Sequence, residues 1–290
     1  MNTGYVLVTP MRNEEATIGI TIESVLAQTV RPREWVIVSD GSTDGSEAII
    51  RRYAAAAPFI RCLRLNTQVR RNFASVVWAI DAGCAELRCR DYAFIGILDA
   101  DIRLLPDYYE TVVCRFAADP LLGLAGGLVL DLKNGKAARQ RHNPEEIAGA
   151  VQLFRRECFE SLGGLAPIRE GGWDTVTGVR ARMNRYKTVA FPDLLVDHLK
   201  PRNSSEGNLV RRTWQLGTRD YAVGNDPLFE LLKCCSRSCE SPMLIGAVAR
   251  WTGYFSCWLA GRKRIVPPEV IAFSQTEQRS RIRKLIGIRN

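Results

Sequence analysis

The chain has 290 residues, 46% hydrophobic and 24% charged, with a formal net charge of +9. Those proportions are those of a globular chain of one large domain, or a domain with an appendage, that buries its core without disulfide or metal staples. Nine scattered Cys and only two His, His142 and His198, form no CxxC pair and no zinc spacing, which points to reduced thiols in a cytosolic compartment.

The charge is unevenly spread. Residues 1–200 carry 25 Lys and Arg against 24 Asp and Glu, whereas residues 201–290 carry 15 against 7. A basic tail on a neutral body suits anionic lipid, nucleic acid or an anionic substrate, and equally a solvated helix face. The first ten residues run straight into a strand pattern, with no basic n-region and apolar h-region, so no signal peptide is expected.

Three short runs, 5–8, 35–38 and 93–98, are rich in β-branched or aromatic residues and end at polar turns, as buried parallel strands do. A first helix is predicted after Asn13 as N-cap, with Glu14 and Glu15 in its first turn and Ile18, Ile22, Val25 and Leu26 as its stripe. A second is expected near Asp44, with Glu47 completing a capping box, and a third over 73–87. Beyond Asp101, a helix over 106–118, a strand over 123–130, a polar loop over 133–144 and a strand over 151–154 follow. A Gly-rich stretch, 163–172, precedes a helix over 174–186, and short strands at 188–191 and 194–196 lead to His198. Strand–helix alternation argues for an α/β domain on a mostly parallel central sheet flanked by helices. We read residues 1–200 as this domain and 201–290 as a basic, amphipathic helical extension.

In an open parallel sheet, ligands bind beyond the carboxyl ends of the strands. There the chain places PMRNEE (10–15), VSDGSTDGS (38–46) and LDAD (98–101) after three successive strands. Converging carboxylates repel unless they hold a cation or hydrogen-bond a ligand, and Asp-Ala-Asp can hold Mg2+ or Mn2+ against a diphosphate. On its own DxD is a common surface turn. In this order and spacing, the three motifs make residues 4–200 resemble the family 2 glycosyltransferases, inverting enzymes with the GT-A fold.

The resemblance assigns roles. Pro10, Arg12 and Glu14 line the nucleoside pocket, and Asp40 hydrogen-bonds the base, usually uracil. Arg71 touches the donor, with Arg70 an equal candidate, and Asp99 meets ribose or sugar. Asp101 binds the metal, Mg2+ or Mn2+, and His198 in VDHLKP completes it. GGWDT (171–175) stands at the acceptor motif and makes Asp174 the catalytic base. Trp173 departs from the family, which carries an acidic residue there; it either stacks on an acceptor sugar or fills space. The implied reaction is a single in-line displacement that inverts the anomeric centre, moving a sugar from a nucleotide-diphosphate sugar, UDP-sugar favoured, to a saccharide or lipid-linked acceptor. Surface-polysaccharide or glycolipid assembly is the implied setting.

Between 243 and 259 the large apolar residues fall at helical spacing, small residues fill the other side, and Arg250 sits in the middle. Too short and too charged to span a bilayer, this segment reads either as an interfacial helix with basic flanks or as a helix packed on the catalytic domain. The first reading places the protein in the cytoplasm, peripheral on the anionic inner face of the cell membrane. The tail lacks a recognisable nucleic-acid motif, so no nucleic-acid partner is expected. Two rival functions remain: a sugar-nucleotide-forming nucleotidyltransferase, which would need a Gly-rich basic loop after the first strand, and a non-catalytic nucleotide-sugar-binding protein, against which the intact Asp set argues.

Overall fold

A computed structural model describes residues 3–66, 72–133, 136–138, 143–200, 209–240 and 242–285. In chain order the first half contains β1 (Tyr5–Met11), α1 (Ile18–Leu26), β2 (Glu34–Asp40), α2 (Ser46–Ala56), β3 (Ile60–Leu65), α3 (Ala74–Ala85), β4 (Phe94–Leu98), β5 (Ile102–Arg103) and α4 (Tyr108–Ala118). There follow β6 (Leu122–Lys133), β7 (Lys136–Ala138), β8 (Val151–Arg155), α5 (Arg156–Ser161), α6 (Trp173–Met183) and β9 (Lys187–His198). Four helices close the chain: α7 (Leu209–Ala222), α8 (Pro227–Ser236), α9 (Ile245–Leu259) and α10 (Pro268–Leu285).

The strands form one sheet in the order β3-β2-β1-β4-β8-β6-β9-β5, with β7 on β6. It is parallel from β3 to β4, and β8 then runs antiparallel between β4 and β6. Tyr5–Val8, Trp35–Val38 and Phe94–Leu98 are buried on both faces, which is why their sequences are continuous apolar runs. One face packs Leu7, Trp35 and Ile37 against Ile18 and Ile22 of α1 and Val112 and Phe116 of α4. The other packs Val8, Val38 and Ile95 against Val77 and Ile80 of α3. Each such fully buried side chain contributes on the order of 1.5–3 kcal/mol. The Trp35 indole N–H also donates to Thr9 Oγ1 at 2.9 Å, satisfying its polar atom inside this layer.

Several local expectations are corrected. Asn13 caps no helix: its φ is 54°, α1 begins at Ile18, and the Asn13 side chain is spent on the turn after β2. Glu14 and Glu15 therefore lie before α1 rather than in its first turn. Glu47 makes no capping box either; it is buried and accepts from Ser39, Arg51 and Arg64, joining α2 to β2 and β3. The short strands at 188–191 and 194–196 are one strand, β9, whose pairing with β6 shifts register between Gly127 and Leu128. The polar run 133–144 contains β7, paired back on β6.

The closing helices lie against the body. Ile168, Val176 and Val179 share an apolar cluster with Val223, Val266 and Val270. Arg182 on α6 pairs with Glu277 on α10 at 2.7 Å. Helices α7 and α9 cross closely through glycines: a Cβ on Gly217 would lie 1.9 Å from the Arg250 carbonyl oxygen, and one on Gly253 would lie 2.2 Å from that of Trp214. This crossing fixes which side of α9 faces inward. Gly246, Ala249, Arg250, Gly253, Tyr254 and Cys257 are buried, while Val248 (61% exposed), Trp258 (55%) and Leu259 (77%) project outward.

Candidate active site

The carboxyl ends of β1, β2 and β4 open into a cleft of about 150 Å³. Pro10, Arg12, Glu14, Asp40, Asp99 and Asp101 line it, with Ser75, Val76 and Ala79 of α3 along one side. Strand β1 has β2 on one side and β4 on the other, so this is the switch point at which an α/β sheet offers a crevice. Each of these predicted donor residues reaches the cleft. Arg71 and its rival Arg70 lie outside the described residues.

Two motifs that are separate in the sequence form one structure here. The Asn13 N–H donates to Ser42 Oγ at 3.1 Å, and Asn13 Oδ1 accepts the Thr43 N–H at 2.8 Å. The Glu14 N–H donates to Ser46 Oγ at 2.8 Å, and the Glu15 N–H to Asp44 Oδ2 at 3.1 Å. The turn carrying Arg12 and Glu14 is thereby fixed against the turn that follows Asp40. The Asp44 carboxyl is held below its usual range: burial pushes it up, but the Ser46 hydroxyl and the backbone N–H groups outweigh that. The Glu14 carboxylate accepts the Thr17 hydroxyl at 2.6 Å and the Lys200 ammonium at 2.5 Å. Lys200 was not assigned a role by the sequence, although its place two residues after His198 was the available signal.

The end of β9 is brought to the edge of the cleft through β5. Ile102 pairs opposite His198 and Arg103 opposite Asp197, with an Arg103–Asp197 ion pair of 2.6 Å clamping the register. The Leu199 N–H donates to the Asp101 carbonyl at 2.8 Å. As a result His198 Nε2 stands 3.3 Å from Asp101 Oδ2. Among the described residues no group of three His, Cys, Asp or Glu side chains is gathered to hold an ion unaided. A Mg2+ or Mn2+ ion that takes part of its coordination from substrate phosphates needs only one or two protein ligands, so the carboxylate–imidazole pair fits one.

Asp174 arrives from the other side. Gly171 and Gly172, both with φ of 91°, turn the chain into α6, a backbone region that only glycine enters freely. Asp174 is then the second residue of the helix; its Oδ2 accepts the Gly149 N–H at 3.2 Å and its Oδ1 the Thr175 N–H at 2.9 Å. The next carbonyl, Ala150, accepts the Asp99 N–H at 2.9 Å. Backbone 149–150 thus links Asp174 to the turn that carries Asp99. Trp173 is buried in the core on the α3 side of the sheet, so it fills space. Asp174 also lines a larger cavity of about 740 Å³, bounded by β6, residues 143–148, α6 and helices α7–α9. Arg212, Arg219, Lys233 and Arg237 line it.

A mixed sheet with a carboxylate-edged crevice at its switch point is a fold of the GT-A type. Residues 6–176 match the model of Glycosyl transferase family 2, and the chain belongs to that family. It is 26% identical over 216 residues to poly-beta-1,6-N-acetyl-D-glucosamine synthase of Staphylococcus aureus, an overlap of 74% of this chain and 46% of that protein. A glycosyltransferase of Escherichia coli, YibD, is 28% identical over 120 residues, covering 40% of this chain and 31% of YibD. The chain thus spans about half the length of the synthases it matches, or less. Among solved structures it resembles the mannosyltransferase PcManGT from Pyrobaculum calidifontis in complex with GDP-Man and Mn2+, with TM-score 0.57, 17% identity, and 98% of this chain and 86% of that chain covered. It also resembles S. aureus TarS 1–349 in complex with UDP-GlcNAc, with TM-score 0.55, 11% identity, and 97% and 92% covered. These likenesses establish the fold.

Proposed function

We propose that this chain is an inverting, metal-dependent glycosyltransferase that moves a sugar from a UDP-sugar to an acceptor hydroxyl in surface-polysaccharide or glycolipid assembly. The observation that carries the reading is the closure of His198 on Asp101, with Asp174 joined to the same acidic turn through backbone 149–150. The nucleotide-sugars bound to PcManGT and TarS support a donor of that class, and the Mn2+ in the former supports a divalent ion.

In this reading Asp40, Arg12 and Glu14 hold the nucleoside, and Asp99 orients the ribose or sugar. Asp101 and His198 hold Mg2+ or Mn2+, which when bound neutralises charge on the leaving diphosphate. Asp174 takes the proton from the acceptor hydroxyl as that oxygen forms its bond to C1 and the C1–O bond to the diphosphate breaks. Its two backbone N–H donors fix the carboxylate in place before the acceptor arrives.

Membrane attachment is part of the proposal. Among the described residues no helix is long and apolar enough to cross a membrane. The outward face of α9 instead offers Leu244, Val248, Trp258 and Leu259 to the surroundings, with Leu228, Leu231 and Leu232 exposed on α8. With Arg262 and Lys263 exposed immediately beyond α9, this is the composition of a helix lying in an anionic interface, here the inner face of the cell membrane.

The direct test is a donor screen. Purified protein with Mn2+ or Mg2+ should slowly hydrolyse a UDP-sugar, faster than GDP- or dTDP-sugars, and EDTA should stop it. Absence of both hydrolysis and binding for all three donors would overturn the reading.

A further inference from the structure

We infer that the 740 Å³ cavity beside Asp174 seats the acceptor, and that its helical wall binds a phosphate group carried by that acceptor. The inference rests on the proposed transferase reading, which supplies the hydroxyl at Asp174. The volume falls within the roughly 300–1,000 Å³ typical of small-molecule sites.

The wall formed by α7, α8 and α9 is built around two buried carboxylates. Asp220 Oδ2 accepts from Arg250 at 2.5 Å, and Asp220 Oδ1 lies 3.1 Å from Lys233 Nζ and 3.4 Å from Arg219. Glu230, fully buried, lies 3.1 Å from Arg250 Nε and 3.6 Å from Lys233 Nζ. Three cations therefore share two carboxylates, and one positive charge is left over. The layering is directional: Arg219, Lys233 and Arg250 line the cavity, whereas Asp220 and Glu230 stand behind them. Arg237 and Arg212 line the same wall, as does Glu240, which is only loosely paired with Arg237 at 3.7 Å.

The opposite wall is closer to balanced. It presents the Asp174 carboxylate, while Arg182 is paired with Glu277 at 2.7 Å and Glu145 and Glu146 are engaged by Arg281 at 2.6 and 3.6 Å. A ligand suited to both walls carries a hydroxyl at one end and an anion at the other. Phosphate fits the cationic wall, because its several oxygens accept from an array of guanidinium and ammonium donors held in place beforehand. Leu209 and Ala247 also line the cavity, and beside them Ile245 and Val248 lie exposed on α9. The phosphate can accordingly be a lipid headgroup or an internal phosphate of a soluble glycan.

The test titrates wild-type full-length protein with glycerol 1-phosphate, glycerol and short-chain dihexanoyl phosphatidic acid, by calorimetry below the lipid's micelle concentration. Glycerol phosphate should bind and glycerol should not. Arg219→Gln with Lys233→Gln should weaken glycerol phosphate at least tenfold while leaving UDP–Mn2+ affinity unchanged. Arg237→Gln, which spares the buried carboxylates, should weaken it by a smaller factor and covers the case in which the double variant does not fold. Tighter binding of the phosphatidic acid that is lost in Val248→Ser assigns the phosphate to a lipid; equal binding assigns it to a soluble acceptor, and either result upholds the site. Glycerol phosphate binding no better than glycerol, or binding unchanged in both variants, overturns it. Because the readout uses no donor, failure of UDP-sugar hydrolysis is scored separately.

Discussion

His198 Nε2 lies 3.3 Å from Asp101 Oδ2, and the contact is made by backbone pairing rather than by chance proximity of two side chains. Strand β5 is only two residues long, yet it sets Ile102 against His198 and so brings the end of β9 to the acidic turn after β4. Asp101→Ala should therefore abolish the gain in UDP affinity that Mn2+ confers, leaving the metal-free affinity unchanged. His198→Ala should reduce that gain by at least about tenfold. Calorimetric titration of UDP with and without Mn2+ checks both, and an Mn2+ effect preserved in Asp101→Ala would remove the metal assignment.

Asp40 is expected to act on the nucleoside alone. Asp40→Ala should weaken UDP equally with and without Mn2+, in contrast to the Asp101 variant. A loss confined to the metal-containing titration would place Asp40 with the diphosphate instead.

Donor binding and transfer should separate at Asp174. Asp174→Asn retains an acceptor for the Gly149 N–H but cannot take a proton, so UDP-sugar affinity should persist while transfer falls at least about a hundredfold. Single-turnover transfer at near the wild-type rate would place the base elsewhere.

The ends of the parallel strands were readable because β1, β2 and β4 are buried on both faces and write their position as apolar runs. Strand β3 was not. Its sequence, IRCLRL, is broken by two arginines because it is an edge strand whose Arg61 pairs with Glu34 and Arg64 with Glu47 across to β2 and α2. The residues that line the cleft after β1, β2 and β4 could be named in advance since each follows such a strand. Lys200 and the cationic wall could not, because what places them is a two-residue strand and a helix crossing. Periodicity likewise located the stripe on α9 without saying which way it faces; Gly217, on a different helix, decides that.

Arg250 gives a prediction on stability. Burial pushes the Asp220 carboxyl upward, but Lys233, Arg250 and Arg219 outweigh it and hold it far below the usual carboxylate range. Arg250→Met leaves Asp220 and Glu230 with less than their compensation and should lower unfolding stability by about 3–5 kcal/mol. Adding Asp220→Asn should recover part of that loss. The lowered carboxyl contributes stability fully above the unfolded value of about 3.9, and that contribution is lost as pH falls through the folded value, so wild type should show an acid-induced loss that the double variant lacks. Urea melts at pH 7 and below pH 4 measure both.

Membrane attachment predicts a salt-sensitive partition. Wild type should pellet with phosphatidylglycerol vesicles and be released by high salt, and it should ignore phosphatidylcholine vesicles. Replacing Leu244, Val248, Trp258 and Leu259 with Ser or Gln should abolish pelleting without lowering the melting temperature, since all four are exposed. Equal pelleting by both forms would exclude this face.

The outward turn of α9 also governs how the chain behaves when no lipid is present. With its glycines spent on the crossing with α7, the helix has no second way to cover Val248, Trp258 and Leu259. In dilute aqueous buffer the surface nearest in kind is the same patch on another molecule. Concentration-dependent self-association, dispersed by a mild non-ionic detergent, is the behaviour that follows. Trp258, more than half exposed in the single chain, would shift its emission to the blue as the patch is covered, so one indole reports when the protein is alone in water.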